Sequence, residues 1–307
     1  MQVPAALSID LEYFQHLPAY RSASGVTDRP GIGIEAVDFL LDAFEAADAT
    51  GTFFTVSNIA DDHPDVLREI SSGHEIASHT HSHVHMSEVS AEKRREELVE
   101  SRERLAEVTG GDVVGFRAPS FDVADDHFEM LAETGYEYDS SVVPCRSIPG
   151  WYGGEYDTWS PSPATAVDPG APPELAEVPV AVMPGLRLPL TGTWIRFFGV
   201  RYTVLGMKLL ARRGIPPVLY VHPWELVDLP EIEGVPKRVY VRTGSYMRRA
   251  IERILAEPFE FVSVRTLADS VGGDADETDD IETDGVDVGA DRHEGNDSGN
   301  REGARRR

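Results

Sequence analysis

Residues 73–86 read Gly-His-Glu-Ile-Ala-Ser-His-Thr-His-Ser-His-Val-His-Met and hold five of the chain's ten histidines. His79 and His83 stand four residues apart. In a helical turn that spacing puts two imidazoles on one face, close enough to share a metal ion. Residues 75–78, just ahead, read as a short strand, so the histidines fall at a strand's C-terminal end, where α/β folds place their chemistry. A catalytic two-histidine site needs a further ligand and an open position. Asp10 and Glu12, closing an apolar run that starts at Val3, are the natural carboxylates: one to bind metal, the other to act as base. Strand alternation points both the same way. Arg117 suits holding one of them ionised. His222, closing the apolar residues 217–221, suits the acid that protonates a leaving group. Asp139 suits orienting His222 or fixing Arg117. The set amounts to metal-assisted hydrolysis, with base, Lewis acid and proton donor.

The elements that must position these groups alternate. Residues 3–10, 51–56, 75–78, 113–117, 136–140, 217–222 and 259–264 read as strands, and residues 186–190 as a further candidate. Helical periodicity covers residues 34–47, a helix opened by Pro64 and closed by Gly73, and residues 90–108, 125–134, 203–212 and 243–256, with a last turn at 266–271. Such alternation implies parallel strands with crossover helices. Residues 144–200 read as an irregular, aromatic-rich insertion within a catalytic domain spanning 1–271. Its Trp151, Tyr152, Tyr156 and Trp159 are suited to stacking on sugar rings or to packing the loop onto the barrel. From residue 272 the chain holds twelve acids, five arginines and almost no large apolar residue. That composition cannot offset chain entropy and reads as a disordered acidic tail over 272–307.

Over its 307 residues the net charge is −25. Nucleic acid is excluded as a partner, since phosphate recognition needs clustered Lys and Arg, and an anionic membrane is disfavoured for the same reason. Lys93, Lys208 and Lys237 are the only lysines. An acid-rich, lysine-poor chain points to a halophilic protein that needs salt to screen its own repulsion. Cys145 is the single cysteine, which rules out an intrachain disulfide and a cysteine-based metal site. No apolar run reaches the roughly 18 residues of a membrane span, and the N-terminus lacks the pattern of a secretion signal. The expectation is a soluble, cytoplasmic protein; the oligomeric state is not legible.

The ordered motifs Ser8-Ile9-Asp10-Leu11-Glu12, His79-Thr80-His81-Ser82-His83, Phe116-Arg117-Ala118-Pro119, Tyr138-Asp139-Ser140 and Leu219-Tyr220-Val221-His222 resemble the polysaccharide deacetylase family, carbohydrate esterase family 4. Asp10-Leu11-Glu12-Tyr13-Phe14, His222-Pro223-Trp224-Glu225 and Arg242-Thr243-Gly244 resemble a branch associated with exopolysaccharide biosynthesis. The resemblance implies a distorted (β/α) barrel of about seven parallel strands. It also implies hydrolysis of N-acetyl, in some members O-acetyl, groups on a sugar polymer or lipid-linked sugar. It implies one divalent metal, Zn²⁺ first and Co²⁺, Mn²⁺ or Ni²⁺ as substitutes, held by His79 and His83. His222 is then the general acid, Arg117 and Asp139 tune base and acid respectively, Leu219 lines the acetyl methyl pocket, and the Ser120 backbone N–H helps hold the oxyanion. The family's two adjacent first-strand aspartates are here Asp10 and Glu12, split by Leu11. Order within the motif makes Asp10 the base and Glu12 the metal ligand; the reverse is the alternative. Two other functions compete: hydrolysis of a non-sugar cyclic amide or imide on the same fold, and carbohydrate binding without turnover.

Overall fold

The protein is described from a computed structural model covering residues 3–23, 31–148 and 153–271. Trp151, Tyr152 and the tail from residue 272 lie outside the described residues. Nine strands join in one sheet. They are β1 (Val3–Leu11), β2 (Thr52–Thr55), β3 (Glu75–Ser78), β4 (Gly115–Phe116), β5 (Tyr138–Asp139), β6 (Ser162–Pro163), β7 (Ala176–Glu177), β8 (Val218–Val221) and β9 (Phe259–Phe261). Their order is β6-β7-β5-β4-β3-β2-β1-β8, with β9 also on β1. All pairs are parallel except β6 with β7. The sheet curls into the expected distorted barrel. Beyond β7, Val178 N–H donates to Asp139 O, Val180 N–H to Val142 O and Ala181 N–H to Val218 O, so this segment reaches from the β5 side to β8.

β1 is the hub. Its first half pairs with β9, Val3 opposite Phe259, and its second half lies between β2 and β8, Asp10 opposite Phe54 and Ser8 opposite Tyr220. Side-chain alternation sorts its residues. Leu7, Ile9 and Leu11 join Phe53, Ile76, Phe116, Leu219 and Val221 in the main core. Ala6 joins Phe54, Ala77, Tyr138 and Val218 in a separate, inner cluster. Burying each large apolar side chain stabilises the fold by roughly 1.5–3 kcal/mol. Ser8 and Asp10 share Ala6's face and therefore point into the barrel.

The helices Val37–Ala46, Pro64–Ser71, Ala91–Thr109, His127–Glu133, Val200–Ala211 and Ser245–Leu255 lie near their expected places. The long charged one starts where Ser90 Oγ accepts the Lys93 N–H at 3.3 Å and stops at Gly110, whose φ of 70° ends it in a left-handed cap. Periodicity missed Gly192–Phe198, a helix inside the stretch read as irregular; Gly199 at φ 87° separates it from Val200–Ala211. The strand expected at 186–190 supplies only an isolated bridge from Pro189 to Val182. Pro184 and Pro189 lack the N–H groups a longer ladder would need. Among the described residues no helix is long and apolar enough to cross a membrane.

Candidate active site

Glu12, His79 and His83 each offer one ligand atom, and these atoms all lie within 4.8 Å of one another. Glu12 Oε2 is 2.5 Å from His83 Nε2. His79 Nδ1 is 2.7 Å from Arg117 O. A carbonyl oxygen only accepts, so Nδ1 carries the proton and Nε2 keeps its lone pair for the site. Burial pushes His79 down to about 4, keeping it neutral. Burial also opposes charge on Glu12, but the imidazoles of His83, His222 and His79 outweigh it and hold the carboxyl well below the usual range. His83 Nδ1 is buried without a hydrogen-bond partner among the described residues. An oriented neutral imidazole, a second imidazole and an ionised carboxylate form a donor set that fits a divalent metal ion.

The two histidines do not meet across a helical turn, as their spacing suggested. Residues 79–85 form a bend, with Thr80 at φ 65° and His83 at φ 56°, and the two rings sit 5.1 Å apart at 69°. Left-handed conformation costs a non-glycine residue roughly 1–2 kcal/mol, so the bend must be held from outside. Ser57 N–H donates to Thr80 O and Asn58 N–H to His81 O. Glu97, buried on Ala91–Thr109, accepts from Ser82 N–H at 2.8 Å and Ser82 Oγ at 2.7 Å.

Asp10 stands apart from the ligand cluster. Arg117 Nη1 donates to Asp10 Oδ1 at 2.6 Å and to Ser8 Oγ at 2.8 Å. The same guanidinium donates to Ser140 O and Ser140 Oγ and lies 3.9 Å over the Phe54 ring. A fully buried arginine so constrained fixes its carboxylate in place.

His222 sits across the site, its Nε2 3.7 Å from Glu12 Oε1. Its partner is Glu225, whose Oε2 lies 3.3 Å from His222 Nδ1 and accepts the His222 backbone N–H at 3.0 Å. Burial would strip the proton from His222, but the Glu225 hydrogen bond, with Glu12 and Asp10, pushes it up to about 9. Arg196 Nε donates to Glu225 Oε1 at 2.7 Å, with both side chains buried. Trp224 stacks on the His222 ring at 4.9 Å and donates Nε1–H to Glu12 Oε1 at 3.1 Å. Arg196 belongs to none of the sequence motifs, and Trp224 and Glu225 stand there only as neighbours of His222. The only available signal was Glu225 three residues after His222, the capping-box spacing it makes here.

Asp139, expected beside His222 or Arg117, contacts neither through its carboxylate hydrogen bonds. It pairs with His127 Nε2 at 3.0 Å and accepts from Ser141 Oγ at 2.6 Å. Burial first and the Asp139 charge second push the carboxyl of its neighbour Glu177 well above the usual carboxylate range. Leu219 does not line the cavity. Strand period 2 turns it toward Leu7 and Ile9 in the main core and gives the cavity wall to Tyr220 and His222. Ser120 does line the cavity, at φ 57°, with its Oγ 3.2 Å from His85 Nε2. The cavity, of about 800 Å³, collects Asp10, Glu12, His79, His83 and His222, with Tyr156 from the aromatic segment on its wall.

Residues 31–138 match the family model for polysaccharide deacetylase, and residues 140–269 match a domain of unknown function (DUF3473). A peptidoglycan deacetylase of Helicobacter pylori is 26% identical over 122 residues, 39% of this chain and 41% of that protein. The chain thus spans less than half the length of that curated relative. Among solved structures, a candidate polysaccharide deacetylase from Mycobacterium smegmatis aligns over 88% of this chain and 90% of its own, with a TM-score of 0.64 at 23% identity. Puue allantoinase aligns over 87% and 89%, with a TM-score of 0.59 at 20% identity. At these identities the likeness is one of fold.

Proposed function

We propose that the chain, whose residues 31–138 match the polysaccharide deacetylase model, is a metal-dependent deacetylase removing N-acetyl groups from a sugar polymer or lipid-linked sugar. The observation that carries the reading is the convergence of the Glu12, His79 and His83 ligand atoms within 4.8 Å, at a cavity that also takes in Asp10 and His222. When bound there, a divalent ion supplies a Lewis acid that polarises the acetyl carbonyl and acidifies water. Asp10, positioned by Arg117, takes the proton from the attacking water. His222, held by Glu225, gives a proton to the departing amine. Trp224 keeps the His222 ring and the Glu12 carboxylate in register. The aromatic rings of Tyr220, Trp224 and Tyr156 on the cavity wall suit a pyranose face.

Acetate release from acetylated oligosaccharides, with divalent metals added singly in high salt, tests the reading. His79→Ala and chelation of the wild type should each abolish release. Activity that survives both, or turnover confined to cyclic imides, would overturn it.

A further inference from the structure

The chain carries 53 acidic residues in 307, which would place about eight in any stretch of 47; between Glu177 and Glu225 there are none. The same 47 residues hold Arg187, Arg196, Arg201, Lys208, Arg212 and Arg213. Three of these cations are committed to acids: Arg196 to Glu225, Arg187 to Asp157 and Lys208 to Glu257. Arg201, Arg212 and Arg213 are exposed and form no ion pair among the described residues.

The exposed large hydrophobic residues among those described are Leu186, Phe198 and Leu205, each 53% exposed, and Val241 at 38%. Single exposed apolar residues are ordinary on a protein surface; here three of the four lie in the acid-free stretch and the fourth adjoins it. Arg201, Leu205, Lys208 and Arg212 recur at spacings of four, three and four on Val200–Ala211 and its end, so they share one helix face. Phe198 packs on Tyr202 with ring centroids 5.1 Å apart, and Tyr202 Oη donates to Leu188 O, which joins the Leu186 loop to this helix. Arg242, next to Val241, donates to Arg196 O and Phe197 O. Phe197, beside Phe198, and Val239, two residues from Val241, line the active-site cavity. The Phe198 end of this face therefore borders the cavity mouth, while Arg212 and Arg213 lie a helix length away, roughly 18 Å, at the other end of Val200–Ala211.

We propose that this face, centred on Phe198, Arg201, Leu205, Arg212 and Arg213, is a peripheral docking surface for an anionic lipid bilayer. Cations on an interfacial helix meet the headgroup charge while exposed aromatic and aliphatic side chains enter the boundary below it. The chain's net charge of −25 opposes approach to an anionic bilayer at long range. At physiological ionic strength that field fades over about 8 Å, so at contact the unpaired Arg201, Arg212 and Arg213 outweigh it. The inference deepens the deacetylase reading, because a mouth seated on a bilayer meets sugars displayed from lipid.

Vesicle flotation of the full chain tests it, in the lowest salt at which circular dichroism shows the protein folded. Wild type should float with phosphatidylcholine vesicles containing phosphatidylglycerol and stay behind with phosphatidylcholine alone. Charge reversal in Arg201→Glu/Arg212→Glu/Arg213→Glu should weaken that partition at least about tenfold, and Leu205→Ser, at an exposed position, should weaken it without altering the fold. Flotation equal on both lipids, no flotation of folded wild type, or folded variants that bind like wild type would each overturn the proposal. Binding requires no turnover, so a protein that floats but releases no acetate upholds the surface while the deacetylase reading fails.

Discussion

Arg117 Nη1 lies 2.6 Å from Asp10 Oδ1, while Glu12, two residues on and just past the end of β1, turns its carboxylate to His83. One strand end thus delivers two carboxylates to two different partners. Asp10→Asn should bind metal at wild-type stoichiometry and lose about 10²–10⁴ in turnover, the range for a general base. Glu12→Ala should lose the metal itself. Metal content after gel filtration, read beside acetate release, separates the two. A metal-free Asp10→Asn with a metal-replete Glu12→Ala would reverse the assignment.

Glu225 and Arg196 should act on rate through His222 and on stability directly. Glu225→Gln should lower kcat by about 10²-fold with little change in KM, as expected when a reacting group is misplaced by about 1 Å. It also leaves the Arg196 charge buried without its acid, a loss of roughly 3–5 kcal/mol. Glu225→Gln/Arg196→Met should recover part of that stability and none of the rate. Urea unfolding of the two single variants and the double measures the coupling. Gly192 offers a second handle: a Cβ there would lie 1.8 Å from Glu225 Oε2, so Gly192→Ala should displace the carboxylate and mimic the kinetic defect.

Leu219→Ala should cost about 2–5 kcal/mol of stability, the usual range for a buried leucine, with KM unchanged. Tyr220→Ala, which removes a cavity wall, should raise KM. A Leu219 variant of normal stability and altered KM would return that residue to the acetyl pocket.

Glu177 makes a pH-dependent contribution whose sign is fixed. Its folded pKa lies above the ordinary 4.5 because of burial and the Asp139 charge. Above that ordinary value the unfolded chain has released a proton that the folded chain keeps, so this contribution falls as pH rises. The lowered pKa of Asp139 acts below its ordinary 3.8, outside the range above 4.5 in which Glu177 acts. Glu177→Gln should therefore gain stability relative to wild type as pH goes from 5 to 7. Parallel pH curves for the two would refute a protonated Glu177.

Salt should matter to the whole chain. With a net charge of −25, self-repulsion is screened progressively as the Debye length shrinks from about 8 Å at physiological salt to about 3 Å near 1 M. Thermal unfolding should move to higher temperature between low and molar KCl. An unchanged midpoint would remove the halophilic reading.

The residues legible in the sequence were those whose place follows from one element. Asp10, Glu12, His79 and Arg117 each sit at or beside the end of a readable strand, and the structure brings them to one cavity or its immediate support. Relationships between elements were less legible. Asp139 takes its partner, His127, from a helix, and no spacing announces that choice. Arg196 lies on a helix with no clear periodicity and meets Glu225 29 residues later, a separation no motif spans. Leu219 was a matter of parity: counting back from His222 by twos reaches Tyr220, and Leu219 belongs to the opposite face. The bend at His79–His83 has the residue interval of a helix but none of its hydrogen bonds, because Ser57, Asn58 and Glu97 impose its shape from elsewhere.

β1 pairs Ala6 with Val218 and Val3 with Phe259, partners more than two hundred residues downstream. During synthesis one edge of β1 finds β2, and through it β3, early, while the edge that takes β8 waits. Loop closure over such spans is slow and becomes favourable only once the late strands exist. Glu12, His79 and His83 can therefore gather through β1, β2 and β3, whereas His222 arrives just behind β8 and joins them only when the barrel shuts. A ribosome-held chain ending before Val218 should thus release no acetate.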